Sequence, residues 1–363
     1  MAITSLSQYL LLLLLPHGTI NCSDSSNLST CHIFQTNIDL EHELFTHFLT
    51  DESNYYIFGV IEKDIRDFRT KEITIEQANV GDEQNWTLFS ESIPGSCQVV
   101  CQTEKNIYLI SRQQYQESQN PKYSKHVLYR ISKRQRNIVE LHKWEEGNSF
   151  VSDIFFDSDD KGFVFFRPSG NPLDFQIFST VNGGKEWSVK DLMRPVRATQ
   201  INDDKLYFLS YKNNSRADWL YSIDKNSNNL DSVQFDLNII DFAVDEKGNY
   251  WLLGKNGDQT VLQEYKEGKA IDIKIFSEDV EFFADKLYKY HDLIVVLAGR
   301  VDKNMLGGFG GTKPEMHLSK NGGSTWSNQS MDKASYMKPV SFYEGNRMTA
   351  YIGQGQVIIC NFK

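Results

Sequence analysis

His42-Glu43-Leu44-Phe45-Thr46-His47 is the part of this chain nearest in pattern to a metal-binding helix, two histidines bracketing a glutamate. A zinc pair on a helix needs i,i+4 spacing so that both rings share one face. Here the histidines are five apart, about 140° around a helix, so they point to different sides. The eight histidines show no other ligand spacing, and 48 acidic residues single out no carboxylate pair for hydrolysis. Gly307-Gly308-Phe309-Gly310-Gly311 is glycine-rich, but no Lys-Ser/Thr follows it, so it is no phosphate loop. Cys97 and Cys101 would stand roughly 13 Å apart on an extended segment, beyond disulfide reach without a bend. These patterns lead us to expect no metal, no cofactor and no catalytic residue.

Binding is the chemistry left, and two long connections are its candidates. One runs from Arg300 to Met316 and holds Gly308, Phe309 and Gly310; the other runs from Gln113 to Lys125 and holds Tyr115 and Tyr123. Long loops on a rigid scaffold often carry recognition, and an aromatic on a glycine stalk suits an anchor. A flexible, tolerated insertion is the equal alternative for both.

The elements that would position these loops are strands. Beyond residue 50, short apolar runs alternate with polar turns, and no long 3.6-period segment appears. Tyr55–Val60, Asn106–Ile110, Phe163–Phe166, Leu206–Leu209, Tyr250–Gly254 and Leu293–Leu297 are the strongest runs. Units beginning near 52, 95, 148, 193, 237, 277 and 334 are each long enough for four strands, the blade of a β-propeller. The last unit is short by one strand, which Cys31-His32-Ile33-Phe34-Gln35 can supply by closing the ring and removing its open edges. That closure would bring Cys31 towards Cys360. Asp39 to Thr50 is expected as a short helix or an irregular crossing.

Two turns reinforce this reading. Thr180, Asn182, Gly184 and Trp187 recur as Ser319, Asn321, Gly323 and Trp326, with the tryptophans 139 residues apart. Over three units that is about 46 residues each, in agreement with four-stranded blades. The pattern Ser/Thr-x-Asn-x-Gly-x-x-Trp resembles the Asp-box, or BNR repeat, with asparagine in place of the usual aspartate. That repeat occurs in sialidases and other glycoside hydrolases, sortilin-like receptors and photosystem assembly factors. The resemblance implies an all-β, single seven-bladed propeller over residues 23–363, with the turns as structural staples. A sialidase-like activity would further imply three arginines, a Tyr-Glu pair and an acid aspartate. Phe166-Arg167-Pro168 is the nearest counterpart of the first arginine motif, without its isoleucine; Arg194, Arg197, Arg300 and Arg347 stand in no family motif.

The chain has 38 basic and 48 acidic residues, a formal charge of −10. This argues against a phosphate-backbone binder and suits a protein partner, a basic one in particular. Tyr9–Leu15 is apolar but too short to span a bilayer, and reads as the core of a secretory signal over residues 1–22. It lacks the usual Lys or Arg ahead of the apolar run. The expectation is therefore an exported protein, periplasmic or secreted, with no membrane span and no nucleic-acid ligand. It would work by binding, for example as an immunity protein that neutralises a secreted toxin, with an Asp-box glycoside hydrolase as the alternative.

Overall fold

Each strong apolar run becomes the second strand of a four-stranded antiparallel sheet, and seven such sheets form a ring. The computed structural model describes residues 29–35, 43–62, 71–83, 85–114, 124–144, 149–168, 171, 173–202, 204–212, 216–227, 229–277, 282–302, 311–330, 340–343, 347–353 and 356–362. Blades 1 to 6 cover residues 43–94, 96–144, 150–191, 199–234, 238–277 and 282–330, each with its strands in chain order from the axis outward. Blade 7 takes three strands from residues 340–362 and its outermost strand, Ser29–Gln35, from the other end of the chain.

The packing explains why the second strands are apolar without alternation. Seven hydrophobic clusters lie in the structure, one at each of the seven interfaces between neighbouring blades. A strand buried on both faces must be apolar at both parities. In blade 1, Tyr56, Phe58 and Val60 face blade 2, while Tyr55 and Ile57 face blade 7 with Val357 and Ile359. A buried residue of this size contributes about 1.5–3 kcal/mol relative to exposure, so the ring is held mainly by these side-to-side interfaces.

The ring closes as the sequence suggests. Ser29–Gln35 runs antiparallel to Gln356–Phe362 in unbroken register, with Cys31 directly opposite Cys360. The two cysteines form a disulfide, with Cα atoms 4.0 Å apart. Cys97 and Cys101 are free thiols.

One expectation is corrected. Glu43–Thr50 is neither helix nor irregular crossing but the first strand of blade 1, so that blade starts one strand earlier than residue 52. A bulge between Phe45 and His47 is the reason. The extra residue breaks the period-two pattern, and the strand loses its signature in sequence. His47 lies on this inner strand, and His42 lies outside the described residues.

Strand order gives the ring two distinct faces. The turns between strands 1 and 2 and between strands 3 and 4 all emerge on one, called here the turn face. Connections between strands 2 and 3, and the crossings from blade to blade, emerge on the other, the crossing face.

Candidate functional site

The two tryptophan turns join strands 3 and 4 of blades 3 and 6, at equivalent places on the turn face. Thr180 Oγ1 accepts from the Gly184 N–H at 3.0 Å, and Ser319 Oγ accepts from Gly323 at 2.8 Å. Asn182 Oδ1 accepts from the Glu186 N–H at 3.0 Å, and Asn321 Oδ1 from Thr325 at 2.8 Å. Trp187 and Trp326 donate their indole N–H groups to the carbonyls of Gly184 and Gly323. Both glycines have φ near +90°, at +85° and +92°, which favours glycine. Each turn also leans on the preceding blade. Trp187 lies 6.0 Å from the Trp144 ring, and Trp326 lies 5.5 Å from Phe276. These contacts brace the ring.

A second device holds the blades at the axis. The innermost strands of blades 1, 2, 3, 5 and 6 all carry a bulge near mid-strand. Polar side chains there reach to the next blade. His47 hydrogen-bonds the Gln98 backbone, and Asp153 accepts from Thr199 Oγ1. Gln200 Oε1 accepts the Val244 N–H at 2.9 Å, and Asp241 accepts the Leu287 N–H at 2.8 Å. Lys286 Nζ adds an ion pair to Asp241 at 3.2 Å. Burial pushes the carboxyl of Asp153 up to about 6 and raises Asp241 as well, while burial lowers the His47 imidazole to about 4. Bulges free backbone N–H groups that need acceptors, so these buried acids are accounted for structurally. Among the described residues no group of three or more His, Cys, Asp or Glu could hold a metal.

The turn face has a marked charge character. The turns between strands 1 and 2 surround the mouth of the central channel, since those strands lie nearest the axis. They carry Asp51 and Glu52, Glu104, Asp157, Asp159 and Asp160, Asp204, Asp245 and Glu246, and Asp292: ten carboxylates among the described residues of blades 1 to 6. Against them stand four lysines, at 105, 161, 205 and 247. Some of the acids bind neighbouring blades. Lys133 pairs with Asp51 at 2.7 Å and Lys225 with Asp157 at 2.8 Å, each reaching from the turn between strands 3 and 4 of the next blade. Asp159 accepts from Thr103 and Asn106 at 2.7 and 2.6 Å; although burial opposes ionisation, these bonds keep its carboxyl below the usual range. Glu52, Glu104 and Asp204 make no ion pair among the described residues. An open cleft of 680 Å³ lies among these turns at blades 1, 2 and 7, bordered by Glu52, Tyr56, Gln102, Glu104, Arg134 and Tyr343.

Of the loop candidates, Tyr115, Tyr123, Gly308, Phe309 and Gly310 lie outside the described residues. The strand ends that flank them, Gln114 and Ser124 in blade 2 and Asp302 and Gly311 in blade 6, all lie on the crossing face. Arg167 also reaches that face, at the end of strand 2 of blade 3, with its guanidinium 5.3 Å from the Phe150 ring and 5.9 Å from Phe175. Arg194 lies over Tyr221, Arg300 over Phe282 beside Glu315, and Arg347 over Tyr55. Spread over different blades and each against its own ring, these arginines do not converge on one ligand.

The carboxylate ring was visible in the sequence only as scattered acidic turns. In the blade register, Asp51-Glu52-Ser53, Asp157-Ser158-Asp159-Asp160, Asp204-Lys205 and Asp245-Glu246-Lys247 fall at equivalent places. The inner belt left no sequence signal, because each bulge shifts the alternation that would have marked it.

No family model and no curated protein matches this chain. Solved structures do. YCF48 bound to D1 peptide superposes with a TM-score of 0.63 at 10% identity, over 92% of this chain and 96% of that one. The β-propeller domain of the Trilobed protease from Pyrococcus furiosus, described with an open velcro topology, gives 0.56 at 9% identity, over 85% and 91%. The acylaminoacyl peptidase of Pyrococcus horikoshii gives 0.57 at 10% identity, over 85% of this chain and 49% of that one. Identities this low speak to fold alone. The class is established by the two lines together: an all-β protein built as a seven-bladed β-propeller.

Proposed function

We propose that this protein acts by binding a protein partner, and that a basic segment of the partner seats over the turn face. The observation that carries this is the ring of ten carboxylates among the described residues at the channel mouth, two of them paired with Lys133 and Lys225, against four lysines in the same turns, with an open cleft beside it. Like charges gathered at one mouth raise the local concentration of a cationic segment and speed its encounter. YCF48, solved with a D1 peptide, supports peptide capture as a use to which this scaffold lends itself. We further read the two tryptophan turns as Asp-box turns in a purely structural role. The apolar run Tyr9–Leu15 supports export, and within that setting we favour an immunity protein that occludes a secreted toxin.

The test is a charge reversal at three acids that make no ion pair among the described residues, Glu52→Lys, Glu104→Lys and Asp204→Lys combined. The partner recovered from the native host should bind the variant at least about tenfold more weakly, and wild-type affinity should fall with added salt. Unchanged affinity in both experiments would overturn the proposal. Turnover of a fluorogenic glycoside that is lost on Arg167→Ala would replace it with catalysis. The immunity reading is tested separately, by whether export of this chain protects a cell against the partner.

A further inference from the structure

The crossing face at blade 3 holds a feature that neither the ring's stability nor the turn-face reading uses. Arg167 is clamped between Phe150 and Phe175, and among the described residues it has no carboxylate and no hydrogen-bond acceptor. Its Nε is buried and unsatisfied. An arginine normally loses side-chain entropy when it grips a ligand; two flanking rings have already fixed this one. What it presents is a planar set of donors, suited to the two oxygens of a carboxylate.

Apolar surface adjoins it. Phe150 is 43% exposed, Leu173 48% and Met193 80%. Phe150 pairs with Arg167 in the sheet, and the Leu192 N–H donates to the Phe175 carbonyl at 2.8 Å, which brings Met193 to the same patch. Met193 has φ +53°. The other three non-glycine residues with positive φ among the described residues, Arg136, Glu267 and His291, sit in hairpin turns that call for it. Met193 lies instead in the crossing from blade 3 to blade 4, where the left-handed backbone turns an apolar side chain into water. Strain and exposed apolar surface together are what an interaction site shows.

Charge selects the occupant. The nearby acids are engaged, Asp174 by Asn171 at 2.9 Å and Asp191 by Gln176 at 2.8 Å. Arg194 stacks on Tyr221 and Arg197 is exposed, so among the described residues the uncompensated charge here is positive, in a chain of net charge −10. We infer that this patch docks a partner segment that sets a carboxylate beside an apolar side chain: the carboxylate on Arg167, the apolar group on Phe150, Leu173 and Met193. It is independent of the turn-face reading, being at the opposite ends of the strands.

The test uses the full chain and a displayed library of random 12-residue peptides as probe. Selected peptides should carry Asp or Glu within two residues of Leu, Phe or Met. Arg167→Gln should weaken them about tenfold or more, the loss expected for one charge-assisted bond, and Arg167→Lys should recover only part. Replacing the peptide's acid by its amide should weaken binding to the wild type yet add little on Arg167→Gln, the signature of direct pairing. Met193→Gly should weaken binding while the protein stays folded, and the triple reversal at Glu52, Glu104 and Asp204 should leave it unchanged. Enrichment of basic peptides, no enrichment at all, or binding indifferent to Arg167→Gln would overturn the inference. So would self-association of the protein that Met193→Gly abolishes, since a second copy would then own the patch.

Discussion

Replacing Asp153 by asparagine should change how the ring's stability depends on pH. Asp153 follows the bulge in the innermost strand of blade 3, where it accepts from the Thr199 hydroxyl of blade 4 and from the Ile154 N–H at 2.8 Å. Burial outweighs these bonds and Lys286, and pushes its carboxyl from 3.8 up to about 6. A folded pKa above the unfolded one means that the native state prefers the protonated acid. The stabilisation is therefore complete below pH 3.8 and is lost as pH rises through 6. Two pH units correspond to about 3 kcal/mol, and the solvent contact that Asp153 retains reduces this to roughly 2 kcal/mol. Asparagine keeps an acceptor for Thr199 and does not titrate. His47 and His126, held neutral by burial and lowered to about 4, act in the opposite sense, losing stabilisation as pH falls from 6.5. Both remain in both proteins and cancel in the difference. Urea unfolding of wild type and Asp153→Asn from pH 4 to 7 should show the variant gaining about 2 kcal/mol on the wild type between pH 4 and 6.5, then a plateau. A flat difference curve would refute the reasoning, because it would mean that the belt carboxylate is solvated.

Other consequences are as direct. Gly184→Ala and Gly323→Ala both place a side chain at positive φ, at a cost of about 1–2 kcal/mol. At Gly323 the new Cβ also runs into the Ile273 methyl of blade 5, so that variant should be less stable than its counterpart by a further 1–3 kcal/mol or so; equal midpoints on thermal unfolding would contradict this. Met193→Gly relieves a left-handed methionine and should raise stability by about 0.5–1 kcal/mol, read from the urea midpoint, where a fall would count against strain. The Cys31–Cys360 disulfide spans 329 residues, and its reduction or Cys360→Ser should cost about 4–5 kcal/mol, visible as a lower unfolding midpoint with reductant.

Legibility in the sequence followed a physical rule. Strands buried on both faces, such as Phe163–Phe166 and Leu206–Leu209, stand out as unbroken apolar runs, and from them the seven blades and the closing strand could be counted. The turns at Trp187 and Trp326 were readable because their side-chain-to-backbone bonds are local, within four residues. Glu43–Thr50 was hidden because its bulge moves every later side chain to the opposite face. The contacts of Asp153 with Thr199, of Lys133 with Asp51 and of Arg167 with Phe150 and Phe175 join residues far apart in the chain or set by sheet register. Composition and spacing carry no trace of such pairs.

We propose that a partner seats on the turn face at the channel mouth. A photo-crosslinking amino acid placed at Glu104, or alternatively at Val189 on the outer strand of blade 3, tests it in the native host. Glu104 borders the cleft, and Val189 is 51% exposed on the ring's outer wall. A discrete cross-linked partner is expected from position 104 and none from 189. Cross-linking from 189 with none from 104 would contradict it.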